Sequence, residues 1–180
     1  NSGANPGMYP WGSLIQATDG NFYGMTSGGG TSGMGTVFKA SATGTRTTMV
    51  NFTGTSGANP GSDCRGSLIQ ASDGNFYGMT YAGGTSDQGT AFKMTVAGVH
   101  TTLINFTGTS GANPGAYPWG SLIQANDGQI YGTTAEGGTG GFGTVFKMTL
   151  GGTRTVLLNF TGTGGASPGA YPWNSLMQAS

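Results

Sequence analysis

"SLIQASDGNFYGMT", residues 67–80, decides the fold of this chain, because nearly the same words recur at a fixed distance. "SLIQ" starts at Ser13, Ser67 and Ser121, and the variant "SLMQ" starts at Ser175, each 54 residues after the last. Of the 54 positions in 13–66, 36 are identical in 67–120. The 180 residues are therefore three full repeats and an 18-residue remainder that copies the start. A strict period of this length means one supersecondary unit stacked on copies of itself.

Inside the unit, the apolar "SLIQA" meets "SDGN", whose Asp-Gly pair favours a hairpin because glycine accepts positive φ. "NFYGMT" follows, then the glycine-rich "YAGGTSDQG", the alternating "TAFKMT", the tight turn "VAGV" and the apolar "HTTLINFT". No stretch carries a helical apolar period free of glycine. The expectation is four antiparallel strands near 13–17, 21–26, 35–40 and 46–53, and again 54 and 108 residues on. Connections within a repeat are short, whereas "GTSGANPGAYPWG" between repeats runs to about a dozen residues and carries Pro114 and Pro118. A β-propeller needs its long link there, from the outer strand of one blade to the inner strand of the next. The fold class is thus all-β: propeller blades of four antiparallel strands. The expected division is linker 1–12, blade 1 at 13–66, blade 2 at 67–120, blade 3 at 121–174 and the first strand of a further blade at 175–180.

"SLIQASDGNFYGMT", "GTAFKMT", "TTLINFTG" and "GANP" together resemble the Gloeobacter/Verrucomicrobia tandem repeat, over essentially the whole chain. The resemblance implies a β-propeller in a secreted or surface-anchored bacterial protein, and it brings no catalytic residues. The extended "GAYPWG" linker departs from the usual pattern.

Composition narrows the function classes. Charged residues make up 7% and the formal net charge is zero, which removes electrostatic attraction to nucleic acid or anionic membranes. No run of about 18 apolar residues spans a membrane. Glycine supplies 38 residues, without collagen's spacing. One cysteine, Cys64, forbids an intrachain disulfide. Low charge with abundant Thr, Ser, Asn and Gly fits an extracellular or cell-surface setting, and a start at Asn1 without methionine reads as processed or excised.

Candidate chemistry is sparse. Asp19, Asp73 and Asp127 offer one carboxylate per repeat, too few for calcium, and read as turn residues. "NFT" at Asn51, Asn105 and Asn159 matches the glycosylation sequon, yet at the repeat spacing, so inheritance of one strand explains it. The glycine-rich loops lack the Gly-Lys-Ser/Thr ending of a phosphate loop and read as flexible connections. His100 replaces Arg46 and Arg154 and reads as an exposed strand-edge residue. Cys64 replaces Pro10, Pro118 and Pro172 in the divergent "GSDCRGS" and reads as drift in a tolerant loop. No cofactor, metal or enzymatic centre is expected.

The linker aromatics are the candidate ligand-binding residues: Tyr9, Trp11, Tyr117, Trp119, Tyr171 and Trp173, with Asp63-Cys-Arg65 in the remaining copy. Their rings suit stacking on sugars. The competing reading, favoured on sequence, has each tryptophan plugging the wedge between blades. Two functions follow: a binding scaffold that takes a glycan on these aromatics, or a structural protein that self-assembles by strand exchange. Three blades do not complete a ring of four to eight, so homo-oligomerisation or a longer parent chain is expected. The C-terminal strand should contact a neighbouring molecule, with Trp173 packed beside the junction, and deleting 174–180 should lower the association state.

Overall fold

A computed structural model describes residues 7–179. Blade 1 contains β1 (Ile15–Gln16), β2 (Phe22–Thr26), β3 (Thr36–Ala40) and β4 (Arg46–Asn51). Blade 2 contains β5 (Ile69–Gln70), β6 (Phe76–Thr80), β7 (Thr90–Met94) and β8 (His100–Asn105). Blade 3 contains β9 (Ile123–Gln124), β10 (Ile130–Thr134), β11 (Thr144–Met148) and β12 (Arg154–Asn159). Each set forms its own antiparallel sheet in sequence order, as a meander, and no helix occurs among the described residues. The expected four-strand blades are present at the expected places.

The innermost strands are shorter than the sequence suggests, two residues each rather than five. Their flanks are occupied by side-chain bonds between blades instead of ladder bonds. The Ser13, Ser67 and Ser121 amides donate to Ser67, Ser121 and Ser175 Oγ, each at 2.8 Å. One turn further on, the amides of Thr18, Ser72 and Asn126 donate to Gln70, Gln124 and Gln178 Oε1. Repetition makes this possible, since every blade offers its neighbour the same donor and acceptor. Residues 175–179 join both ladders through Ser175 and Gln178 and form no strand.

The core lies between blades. Strand alternation sends Tyr77 and Met79 to one face of β6 and Phe76 to the other. Tyr23, Val37, Val50 and Phe52 of blade 1 are buried against Leu68, Phe76, Phe92 and Met94 of blade 2. The same columns meet again between blades 2 and 3, where Tyr77, Ala91, Ile104 and Phe106 cover Leu122, Ile130, Phe146 and Met148. Edge-on ring pairs lock both seams, Phe52 on Phe92 at 5.3 Å and Phe106 on Phe146 at 5.6 Å. Within each blade a glycine faces a phenylalanine across the ladder, as in Gly78↔Phe92. A Cβ on Gly78 would stand 2.8 Å from the Phe92 ring, so the glycine makes room for it.

The turn aspartates do turn work. Asp19 accepts from the Asn21 amide and side chain at 3.0 and 2.9 Å and from the Tyr23 hydroxyl at 2.9 Å. The Asn21 side-chain bond leads in holding Asp19 below the usual carboxylate range, while burial and the adjacent Asp19 push Tyr23 up to about 12. Asp73 with Tyr77 and Asp127 with Tyr131 repeat the bond at 2.8 Å. The asparagines of "NFT" pin the glycine-rich loops: Asn51, Asn105 and Asn159 Oδ1 accept from the Thr31, Thr85 and Thr139 amides at 3.0 Å.

Three expectations need correction. The glycine-rich loops are tied down rather than flexible, because they touch the preceding linker backbone: Gly84 and Gly138 donate to the Gly54 and Gly108 carbonyls at 3.0 Å. Cys64 is buried in the seam between blades 1 and 2, where burial pushes its thiol pKa up, so its site is packed rather than tolerant. His100 is not an exposed edge residue. It lies against Phe52 and Phe92, at 5.8 and 5.3 Å between ring centres, with Nε2 buried and without a hydrogen-bond partner.

Candidate functional site: an aromatic cleft along the inner edge of the blades

The site is built by the linkers. In each, the residue just before the proline position takes a left-handed conformation: Tyr9 at φ 58°, Asp63 at 56°, and Tyr117 and Tyr171 at 53°. A non-glycine residue there costs about 1 kcal/mol or more, so tertiary bonds must hold it. The Tyr9 carbonyl accepts from the Ser27 amide at 3.1 Å, and the Asp63 carbonyl from the Tyr81 amide at 3.0 Å. The kink presents the side chain two residues later, Trp11, Arg65, Trp119 or Trp173, outside the serine ladder. The backbones of successive linkers meet closely at the following position, where a Cβ on Gly12 or Gly66 would lie 2.2 or 2.5 Å from the next carbonyl oxygen.

The tryptophans do not plug the wedge. Trp11, Trp119 and Trp173 are 71%, 40% and 59% exposed. The wedge is already filled by Leu68, Leu122 and the phenylalanine seams, so the indoles stay on the surface. Trp173 stands beside the junction, next to Trp119, with most of its ring exposed.

Tyr9, Trp11 and Trp119 do converge. With Ser27, Asp63 and Arg65 they line a cleft of about 480 Å³. The Trp11 indole N–H donates to Ser27 Oγ at 3.1 Å, which fixes the tilt of that wall. Arg65 is held more firmly. Its Nε and Nη2 donate to Asp63 Oδ2 at 2.9 and 2.6 Å, while its guanidinium lies 3.5 Å from the Tyr81 ring centre and 4.0 Å from that of Trp119. Tyr81 stacks on Tyr117 at 5.0 Å and meets Trp119 edge-on at 5.5 Å. The cleft is thus two indole walls, with a charge-compensated Asp63–Arg65 pair and Ser27 as the polar groups between them.

Tyr117, Tyr171 and Trp173 fall outside this cleft. Tyr117 backs Tyr81, and Tyr171 lies edge-on to Phe142 at 6.2 Å. Trp173 continues the row, 6.1 Å from Trp119, and lines a shallower hollow on the same inner edge. Sequence reading missed Asp63, Arg65, Tyr81 and Ser27 as site residues. One signal was available. The repeat that loses Tyr-Pro-Trp to Asp63-Cys-Arg65 is followed by a blade with Tyr81 where the others carry Ser27 and Ala135. Paired departures in two columns point to paired side chains.

The Gloeobacter/Verrucomicrobia repeat matches residues 1–180. The chain belongs to that repeat family. No curated protein matches it. Among solved structures, virginiamycin B lyase from Staphylococcus aureus is similar with a TM-score of 0.49 and 13% identity, covering 82% of this chain and 40% of the lyase. A catalytically inactive variant of that lyase with quinupristin gives 0.48 and 12%, covering 87% of this chain and 42% of the lyase. The chain thus spans less than half the length of either structure, and no residue role passes across at this identity. No helix among the described residues is long and apolar enough to cross a membrane, and no group of three metal-ligating side chains occurs among them.

Proposed function

We propose that this protein is a non-catalytic binding module of an extracellular or cell-surface protein, and that its cleft takes a glycan. The observation that carries the reading is the convergence of Tyr9, Trp11 and Trp119 on one cleft with their rings exposed. Exposed indoles cost solvation, and sugars repay that cost with apolar C–H faces while their hydroxyls use Ser27, Asp63 and the free edge of Arg65. Locking Arg65 and Trp11 in advance reduces the entropy lost on binding. The nucleophile–base pairing that catalysis needs has no support here, since Cys64 is buried with its thiol pKa raised and His100 is wedged between phenyl rings.

The test is a glycan array followed by titration of tryptophan fluorescence with any positive sugar. Trp11→Ala and Trp119→Ala should each weaken binding roughly tenfold, about 1.4 kcal/mol. Tyr171→Ala, outside the cleft, should leave the affinity unchanged. A silent array, or tight binding that survives both tryptophan substitutions, defeats the reading. The second reading, a structural protein that self-assembles, is favoured by the serine ladder, in which every blade offers its neighbour the same donor and acceptor.

A further inference from the structure

The cleft of Tyr9, Trp11 and Trp119 owes its width to Arg65. Where two adjacent linkers both carry tryptophan, the rings close on each other, as Trp119 and Trp173 do at 6.1 Å. The second linker carries Arg65 at that position instead, between Trp11 and Trp119 in the row. Its guanidinium is drawn aside, 3.5 Å from the Tyr81 ring centre and bonded twice to Asp63. Tyr81 is itself braced by Tyr117 at 5.0 Å, whereas the other blades place Ser27 and Ala135 in its column. Trp11 and Trp119 are thereby left two linkers apart, walls of a slot of about 480 Å³. Both bonds from Arg65 end on Asp63 Oδ2. Among the described residues, Arg65 Nη1 and Asp63 Oδ1 have no hydrogen-bond partner, and the two side chains are 23% and 33% exposed.

We infer that this slot takes a single pyranose ring of an uncharged sugar, lying between the two indoles where the row would otherwise hold a third, and that Asp63 and Arg65 read two adjacent hydroxyls on its rim. The inference rests on the glycan reading above and adds the size of the bound unit and the groups that select it. Two facing indole walls call for a flat ring that is apolar on both faces, and a pyranose with its hydroxyls at the edge presents C–H groups to both. At the rim, Asp63 Oδ1 accepts from one hydroxyl while Arg65 Nη1 donates to the next. Because the carboxylate and guanidinium already compensate each other, an uncharged rim brings no unpaired ion into the slot. An anionic group there would face the Asp63 carboxylate. Where Trp119 and Trp173 lie in contact, the row has no such slot, so the divergent linker supplies the specificity.

The probes are the methyl glycosides of the neutral hexoses and, for each one that binds, its series of monodeoxy forms, read by tryptophan fluorescence of the full chain. Removing either of two adjacent hydroxyls should weaken binding roughly tenfold, and removing any other should change it little. Arg65→Trp gives the second linker the residue that the others carry, and should abolish binding by filling the slot. Arg65→Met leaves the slot open, so it should weaken binding roughly tenfold and make it indifferent to one hydroxyl of the pair. An Arg65→Trp chain that still binds overturns the slot and leaves the glycan reading standing. A deoxy series without an adjacent pair does the same, as do array glycans that bind while none of their component methyl glycosides does. A wild-type chain that binds neither glycosides nor array glycans defeats both. Should Arg65→Trp lose its β-sheet circular dichroism signal, Ser27→Tyr takes its place: it gives blade 1 the residue of blade 2 and fills the same slot from the side.

Discussion

Replacing Phe92 by alanine is expected to destabilise the chain by about 3–5 kcal/mol, as for other fully buried phenylalanines. Three contacts are lost together. The ring fills the space that Gly78 leaves, takes the edge of Phe52 at 5.3 Å, and lies 5.3 Å from His100. None of these neighbours can collapse into the gap. Gly78 has no side chain, and Phe52 is pinned within the same seam. The control is built into the repeat. Phe38 occupies the same register opposite Gly24, but on the open face of blade 1, where it is only half-buried. Phe38→Ala should cost less than half as much, since a partly exposed ring has less apolar area to lose. Urea denaturation of both variants at low protein concentration, below association, provides the comparison. Equal losses would mean that the seam between blades contributes nothing beyond the fold of each blade.

Acidification from pH 6.5 to pH 4 is expected to weaken folding by up to about 3 kcal/mol through His100 alone. Burial holds the imidazole down to about 4, from an ordinary value of 6.5, because its neighbours Phe52 and Phe92 cannot solvate a cation. The unfolded chain therefore binds a proton near pH 6.5 that the folded chain refuses until about pH 4. Stability falls as pH drops through that window and levels off below it. The turn carboxylates Asp19, Asp73 and Asp127 are held below 3.8, so their own loss begins lower still. Thermal melting followed across the window, with His100→Gln as reference, isolates the imidazole. A variant as acid-sensitive as the wild type would remove His100 from the account. Arg46 and Arg154 hold the corresponding place in the other blades, and burial lowers Arg154 only to about 10. Only the His100 repeat carries this sensitivity near neutral pH.

The 54-residue period, the Asp-Gly turns and the alternation around Phe92 and Met94 determined the repeat, the four strands and their order. These are local facts: turn chemistry needs only neighbours in sequence, and a strand shows its buried face by its period of two. The family was legible for the same reason. The linker aromatics were legible as candidates, because rings in a polar loop stand out in any sequence.

Tertiary structure alone decided which of them meet. Trp11, Arg65 and Trp119 lie 54 residues apart, and they come together because the blades fan from a common inner edge held by the Ser67 and Ser121 ladder. No local rule states that distance. Whether Trp119 is a plug or a wall was equally hidden, since it depends on Leu68 and Leu122 having filled the wedge first. Cys64 and His100 were misread for a related reason. A sequence shows what replaces proline or arginine in one repeat, but burial is a property of the facing blade. What the seam between two blades encloses is set by side chains that no single repeat contains.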